Sequence, residues 1–280
     1  GCWGAVRFGT SVRSPFALMM RFFSEDKMRG AFVEGDYMKY FLLTIVLILT
    51  PIGVFAADSA DVDNDGLSDA DEIGVYFTDE ESADTDNDGF SDGDEVAHGY
   101  SPRHAEGAKL MQVDSDEDYL NDAWELTLGT GLMDPDSDGD LYLDGTEVAA
   151  RFDPLNAEPV QREKVIIIDL ASQHLEYFFG DTLFGSFPIS GGLPYTPTPT
   201  GEFTVLNKVP VKHYGGASYD YPNTQWNLNF YTKRYGYYIH GAYWHDDFGT
   251  PKSHGCVNVS YENMEPLYWW AQLGTRVIIQ

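Results

Sequence analysis

The apolar positions of this chain fall into three regimes. Phe41 to Leu49 is a near-continuous apolar run. Between residues 58 and 158 apolar side chains are sparse and acidic ones dense. From Val165 onward short apolar stretches return with the two-residue alternation of half-buried strands. There the pattern predicts a strand at Val165–Asp169, an alternating strand at His174–Phe179, a tight turn at Gly180-Asp181 and a returning strand at Thr182–Ile189. Further strands are expected at Gly201–Val209, Gln225–Tyr231 and Tyr235–His240, with a closing strand at Thr275–Ile279. Ser260 to Leu273 suits one helix, with Ser260 as N-cap and Gly274 just past its end. The expected fold is therefore a mainly β domain with one or two helices, preceded by an irregular acidic segment.

The first regime reads as an export signal. Met38-Lys39-Tyr40 precedes the apolar run, Pro51 and Gly53 break any helix, and Val54-Phe55-Ala56 supplies small residues for cleavage. Residues 38–56 are thus expected to be a signal peptide, with the remainder in the periplasm or cell wall and no membrane span after cleavage. Residues 1–37 fit no element and are read as an upstream extension ahead of a true start at Met38. After cleavage one cysteine remains, Cys256. A lone thiol in an oxidising compartment needs a chemical reason.

Charge sharpens the second regime. The formal net charge is −28, and residues 58–158 hold 31 Asp and Glu against 3 Lys and Arg. Such a block repels nucleic acid and must be solvated or neutralised by cations. It is also a repeat. Asp61, Asp63, Asp65, Asp69 and Glu72 occupy positions 1, 3, 5, 9 and 12 of a loop with Gly66 at position 6. Asp84, Asp86, Asp88, Asp92 and Glu95 repeat the register with Gly89. Asp114, Asp116, Asp118, Asp122 and Glu125 repeat it with Tyr119 in place of glycine, and Asp136, Asp138, Asp140, Asp144 and Glu147 with Leu141. Odd spacing turns alternate carboxylates toward one point, which suits a hard cation with six to eight oxygen ligands such as Ca²⁺. Long helices flanking each loop are missing, so the segment, roughly 58–155, resembles thrombospondin type-3 repeats rather than EF-hands. With few apolar residues to pack, it is expected to be a spacer stiffened by Ca²⁺. Residues 156–162 would then form a linker to a domain at 163–280 that folds without the ion.

The chemistry sits in Tyr238-Ile239-His240-Gly241 and Ser253-His254-Gly255-Cys256-Val257-Asn258. A thiolate is the nucleophilic form of cysteine, and an imidazole nearby can take the thiol proton. Either His254, two residues from Cys256, or His240, at the end of the preceding strand, could serve. Gly255 permits close backbone approach, so amides around Cys256 could form an oxyanion hole. This pattern resembles the L,D-transpeptidase catalytic domain, also called YkuD. The likeness extends to the Val165–Gly180 strand pair, Ile189-Ser190-Gly191-Gly192, Thr198-Pro199-Thr200-Gly201-Glu202-Phe203 and the Gly274–Ile279 strand. Asn258 stands where many members have Arg. The resemblance implies a β-sandwich in which Cys256 attacks a peptidoglycan stem tetrapeptide and releases D-alanine. His240, oriented by the Gly241 carbonyl, would be the acid/base, and His254 would shape the pocket. Ser253 and Asn258 would hold the loop and contact substrate, with Tyr243 and Trp244 lining a lid, and no cofactor would be needed for catalysis. Tyr237, Tyr238, Trp269 and Trp270 are expected in the core. Three alternatives stay open: hydrolysis of the same thioester, a calcium-dependent structural or adhesive protein, and a zinc hydrolase using His240, His254 and Cys256.

Overall fold

A computed structural model describes residues 60–216, 219–232 and 236–280. The expected upstream extension and signal peptide lie outside the described residues.

Nine strands are present among the described residues, and they form two sheets. β1 (Lys164–Asp169), β2 (His174–Phe179), β3 (Thr182–Pro188), β4 (Gly201–Thr204) and β9 (Arg276–Ile279) make the first, in the order β3-β2-β1-β9-β4. β5 (Asn207–Gly215), β6 (Asp220–Tyr231), β7 (Tyr237–Gly241) and β8 (Val257–Val259) make the second, in chain order. The alternation read from the sequence is the burial pattern of β1 and β2: Ile166, Ile168, Leu175 and Tyr177 point inward. They share one apolar core with Leu228, Phe230, Ile239, Val257 and Val259 of the second sheet and with Met264, Leu267 and Trp270 of the helix. The domain is a β-sandwich with one helix of its own.

Three elements depart from expectation. The strand expected over Gly201–Val209 is two strands in different sheets. Val205 is buried and bonds Thr275, whereas the next amide, Leu206, bonds Asn229 of the other sheet, so the chain crosses the sandwich there. β5 then runs on to Gly215, well beyond Val209, past Pro210, which an edge strand tolerates because its ladder can skip a donor. The helix, Tyr261–Trp270, starts after the expected Ser260 cap but stops before Leu273. Its terminal carbonyls are taken by two lysines: Lys208 Nζ donates to Tyr268 O and Ala271 O at 2.5 Å each, and Lys164 Nζ to Trp270 O at 3.2 Å. Trp270 is core as expected, but Trp269 is 63% exposed, because successive helix residues point about 100° apart and Trp269 falls on the outer face.

The acidic segment is more ordered than an irregular spacer. Each loop leads into a short helix that starts at position 9: α1 (Asp69–Asp71), α2 (Asp92–Ala97), α3 (Asp122–Leu128) and α4 (Asp144–Ala150). Ser68, Ser91 and Asn121 cap three of them by accepting a backbone N–H. The segment also carries apolar side chains that pack. Leu120 and Val148 are buried with Phe179 of β2, and Trp124, Leu128 and Phe184 close around them. The Trp124 and Phe184 rings meet edge-on at 6.3 Å. Arg151 Nη2 donates to Leu273 O at 3.0 Å. The stretch expected to be a linker folds back on itself, with Phe152 bridged to Gln161 and Asp153 paired to Arg162 at 2.5 Å. The last two repeats are therefore docked on the sandwich rather than tethered to it.

Candidate active site and cation loops

β7 and β8 are parallel neighbours, with His240 opposite Asn258. Cys256 precedes β8 by one residue, and both residues line one cavity of about 480 Å³ with His254, Ser253 and Trp244. His240 is buried, its ring stacked on Tyr214 at 4.5 Å. Its Nδ1 lies 2.9 Å from the Gly241 carbonyl. A carbonyl can only accept, so Nδ1 carries the proton and Nε2 keeps its lone pair. Burial holds the imidazole down at about 4. The same effect pushes the Cys256 thiol up to about 11, against a backbone hydrogen bond from Tyr238 and the Lys212 ammonium, which both favour the thiolate. At rest the pair is a neutral thiol and a neutral imidazole, not the ion pair that proximity alone suggests.

The His254–Cys256 stretch is not an extended strand. Gly255 sits at φ +113°, and a Cβ there would stand 2.7 Å from the Tyr237 ring. His254 is exposed and stacks on Tyr219 at 4.8 Å. The Gly255 amide donates to Ser253 Oγ at 3.1 Å, so it is engaged within the loop rather than presented to an oxyanion. The Ser253 hydroxyl in turn donates to the Cys256 carbonyl, which ties the loop at both ends. Gly241 is the residue that fits beside Tyr261, whose ring a Cβ would meet at 2.5 Å. Asn258 is buried, and its Nδ2 donates to His245 Nε2 at 3.1 Å. Trp244 stacks flat on Tyr221 at 3.8 Å. Tyr243 turns outward and donates to Pro222 O at 2.9 Å, away from the cavity. Tyr238, expected in the core, faces the cavity, whereas Tyr237 packs against the core as expected and also lines the cavity.

Sequence reasoning missed Lys212, Tyr214, Tyr219 and Tyr221, which also line the cavity. The signal was the alternation of Lys212 and Tyr214 along a strand thought to end at Val209. For the zinc alternative, His240, His254 and Cys256 do not bring three ligand atoms within 4.8 Å of one another among the described residues.

In each acidic loop the carboxylates at positions 1, 3 and 5 converge, with one oxygen apiece within 4.8 Å. Position 12 is buried in all four: Glu72, Glu95, Glu125 and Glu147. These glutamates and the position-3 aspartates keep buried oxygens with no hydrogen-bond partner. Burial first, and the loop aspartates second, push Glu72, Glu95 and Glu147 up to about 7 and Glu125 to about 9. An all-oxygen set with unpaired buried carboxylate oxygens fits a hard divalent cation. Position 9 does something else. Asp92 accepts from both the amide and hydroxyl of Thr85, and Asp122 and Asp144 do the same with Ser115 and Ser137. Asp69 accepts the Val62 amide. These four close the loops. Tyr119 and Leu141 take the position-6 backbone at φ +80°, near the +99° and +101° of Gly66 and Gly89, so the loops without glycine keep the same turn. The loops also pair. Asp65 Oδ2 accepts the Gly93 amide at 2.6 Å, and Asp118 Oδ2 the Gly145 amide at 2.8 Å. A Cβ on either glycine would lie 2.5 or 2.6 Å from the facing carbonyl oxygen.

Comparison with known proteins agrees with both halves. Residues 163–279 match the YkuD family model, the L,D-transpeptidase catalytic domain, and residues 61–73 and 84–99 match the bacterial TSP3 repeat. The chain is 34% identical over 127 residues to the probable L,D-transpeptidase 3 of Mycobacterium tuberculosis, covering 40% of this chain and 44% of that protein. It is 27% identical over 135 residues to the putative L,D-transpeptidase YqjB of Bacillus subtilis, covering 45% and 76%. Among solved structures, an L,D-transpeptidase from Mycobacterium smegmatis aligns at 25% identity over 44% of this chain and 60% of that one, with a TM-score of 0.40. The match thus spans less than two thirds of the length of several of these relatives. Residues 163–279 thus resemble an L,D-transpeptidase catalytic domain, and the segment ahead of them resembles bacterial TSP3 repeats.

Proposed function

We propose that this chain is an exported peptidoglycan L,D-transpeptidase that works through a thioester on Cys256, with Ca²⁺ held in its four acidic loops. The observation that supports the reading most is the Cys256 thiol and the His240 imidazole, its Nδ1 on the Gly241 carbonyl, lining one cavity. A stem tetrapeptide enters with the carbonyl of its third residue at Cys256. As Sγ bonds to that carbon, His240 Nε2 takes the thiol proton. The tetrahedral oxyanion collapses, the C–N bond to D-alanine breaks, and the imidazolium returns its proton to the leaving amine. An amine from a second stem then attacks the thioester and gives a proton to His240, the C–S bond breaks, and the imidazolium passes that proton to Sγ to restore the thiol. Atoms and charge balance over both halves, and no cofactor enters. Because the resting pair is neutral, proton transfer accompanies attack instead of preceding it.

Calcium would supply charge neutralisation to the carboxylates at positions 1, 3, 5 and 12 and hold α1–α4 in place. The test of the catalytic reading is incubation with purified muropeptides followed by mass analysis. A new dimer with loss of D-alanine is the expected product. Loss of D-alanine without a dimer would identify a carboxypeptidase, and no release at all would refute the reading.

A further inference from the structure

The cavity contains a cation that the steps above do not use. Lys212, on β5, lines the cavity. Its ammonium sits 5.4 Å from the centre of the Tyr214 ring and 5.2 Å from that of Tyr238. Those two tyrosines are the neighbours of the reacting groups: Tyr214 stacks on His240, and Tyr238 hydrogen-bonds Cys256 through its backbone. The other cationic groups around the cavity have acidic partners. Lys252 pairs with Asp247 at 2.7 Å, and the His213 ring is hydrogen-bonded to Asp220 at 2.5 Å whatever its charge. Among the described residues no carboxylate pairs with Lys212, and none lines the cavity. The aromatic faces hold the ammonium in position while leaving its donors available.

We infer that Lys212 is a specificity-determining residue that binds a carboxylate of the acyl donor, and so selects donors that carry a negative charge beside the attacked carbonyl. This rests on the transpeptidase reading. A stem tetrapeptide offers two such groups, the terminal carboxylate of the leaving D-alanine and the side-chain carboxylate of a diaminopimelate third residue. Both present the same chemistry to an ammonium, and amidating one at a time separates them.

The experiment uses the full chain and three synthetic tetrapeptides: unmodified, amidated at the C-terminus, and amidated at the third side chain. D-alanine or D-alaninamide release is followed for the wild type, Lys212→Met and Lys212→Arg. A hydrogen bond to a charged group is worth about 1.5–3 kcal/mol, so Lys212→Met should raise KM about 10- to 100-fold with kcat nearly unchanged. Lys212→Arg should recover most of that. One of the two amidated peptides should show the same loss on the wild type and no further loss on Lys212→Met. Alkylation of Cys256 by uncharged iodoacetamide should fall far less than turnover in Lys212→Met, by no more than the loss of the ammonium's pull on the thiolate. The inference is overturned if the wild type processes both amidated peptides as well as the parent. It is equally overturned if Lys212→Met slows iodoacetamide to the same extent as turnover, since the lysine would then act on the thiol alone. Should the wild type release no D-alanine from any peptide, the transpeptidase reading fails by itself. Protection of Cys256 from iodoacetamide by N-acetyl-D-alanine, compared with its amide, still decides carboxylate binding: protection by the acid that Lys212→Met abolishes supports it, and equal protection by both overturns it.

Discussion

Trp124→Ala tests whether the acidic repeats and the catalytic sandwich stand as one body. Trp124 belongs to α3, in the third repeat, yet it packs against both apolar clusters of the molecule and meets Phe184 of β3 edge-on. Truncating a fully buried Trp costs about 3–5 kcal/mol. Trp124 is half-buried, so roughly 2 kcal/mol is expected, and for a body of this size that lowers Tm by about 4–8 °C. The larger effect is on coupling. Under the proposed function calcium in the third and fourth loops would hold α3 and α4, and one site at a hundredfold excess over Kd would add about 2.7 kcal/mol. If those helices are docked on β2 and β3, the sandwich shares that gain. Calorimetry of the full chain with calcium and with chelator should show the transition of the sandwich rising with calcium in the wild type. In Trp124→Ala the rise should shrink, and in an isolated 159–280 fragment, where Phe179 and Phe184 lose their cover, it should vanish from a lower starting Tm. If the sandwich melts at one temperature in all three proteins, with and without calcium, the repeats are a tethered spacer and the docking argument is wrong.

Cys256→Ala should abolish D-alanine release and carbapenem adduct formation by intact mass while leaving Tm within about 2 °C, since it trims one small, partly exposed side chain. His240→Gln should slow acylation by roughly two to four orders of magnitude. The wild type should lose stability relative to His240→Gln as pH falls from about 6.5 to about 4. Over that range the unfolded imidazole binds a proton that the buried one, held down at about 4, does not, and the difference amounts to about 3 kcal/mol in paired thermal melts. Iodoacetamide alkylation of Cys256 should keep rising with pH toward the thiol value of about 11; a plateau near neutrality would indicate a resting thiolate instead. Gly145→Ala should weaken calcium binding in the third and fourth loops together, because the added Cβ meets the Asp118 carbonyl, while Ala123 at the equivalent place in the third loop should accept Gly with little change in calorimetric titration.

The sequence made the short-range features plain and hid the long-range ones. The loop register, the β1–β2 hairpin, the Ser260 cap and the Ser253–Asn258 motif are set by neighbours a few residues apart, and each was readable from spacing. The second sheet was harder. Pro210 reads as a strand breaker, and only its place on an edge strand, a fact about sheet order, lets β5 continue to Lys212 and Tyr214. A second role of position 9 was hidden for a similar reason. An aspartate counts equally in a ligand pattern whether it faces the cluster or caps the turn, and only the Thr85, Ser115 and Ser137 hydroxyls two places into each loop reveal the second use.

The pairing of the loops follows from one alternation in the sequence that has meaning only in three dimensions. Position 10 reads Ala70, Gly93, Ala123, Gly145 along the chain. At the two alanines the side chain is accommodated. At the two glycines the backbone of the preceding loop approaches so closely that no side chain fits, and the amide is captured by that loop's position-5 aspartate. Asp65 and Asp118 therefore serve two tasks: one oxygen belongs to the cluster of its own loop, and the other fixes the next helix. A cation that draws Asp65 or Asp118 inward also orients the partner loop, so the four loops act as two coupled pairs. The second pair is the one that carries Trp124 and Val148 against Phe179 and Phe184. Calcium bound there would reach the sandwich through those packed side chains.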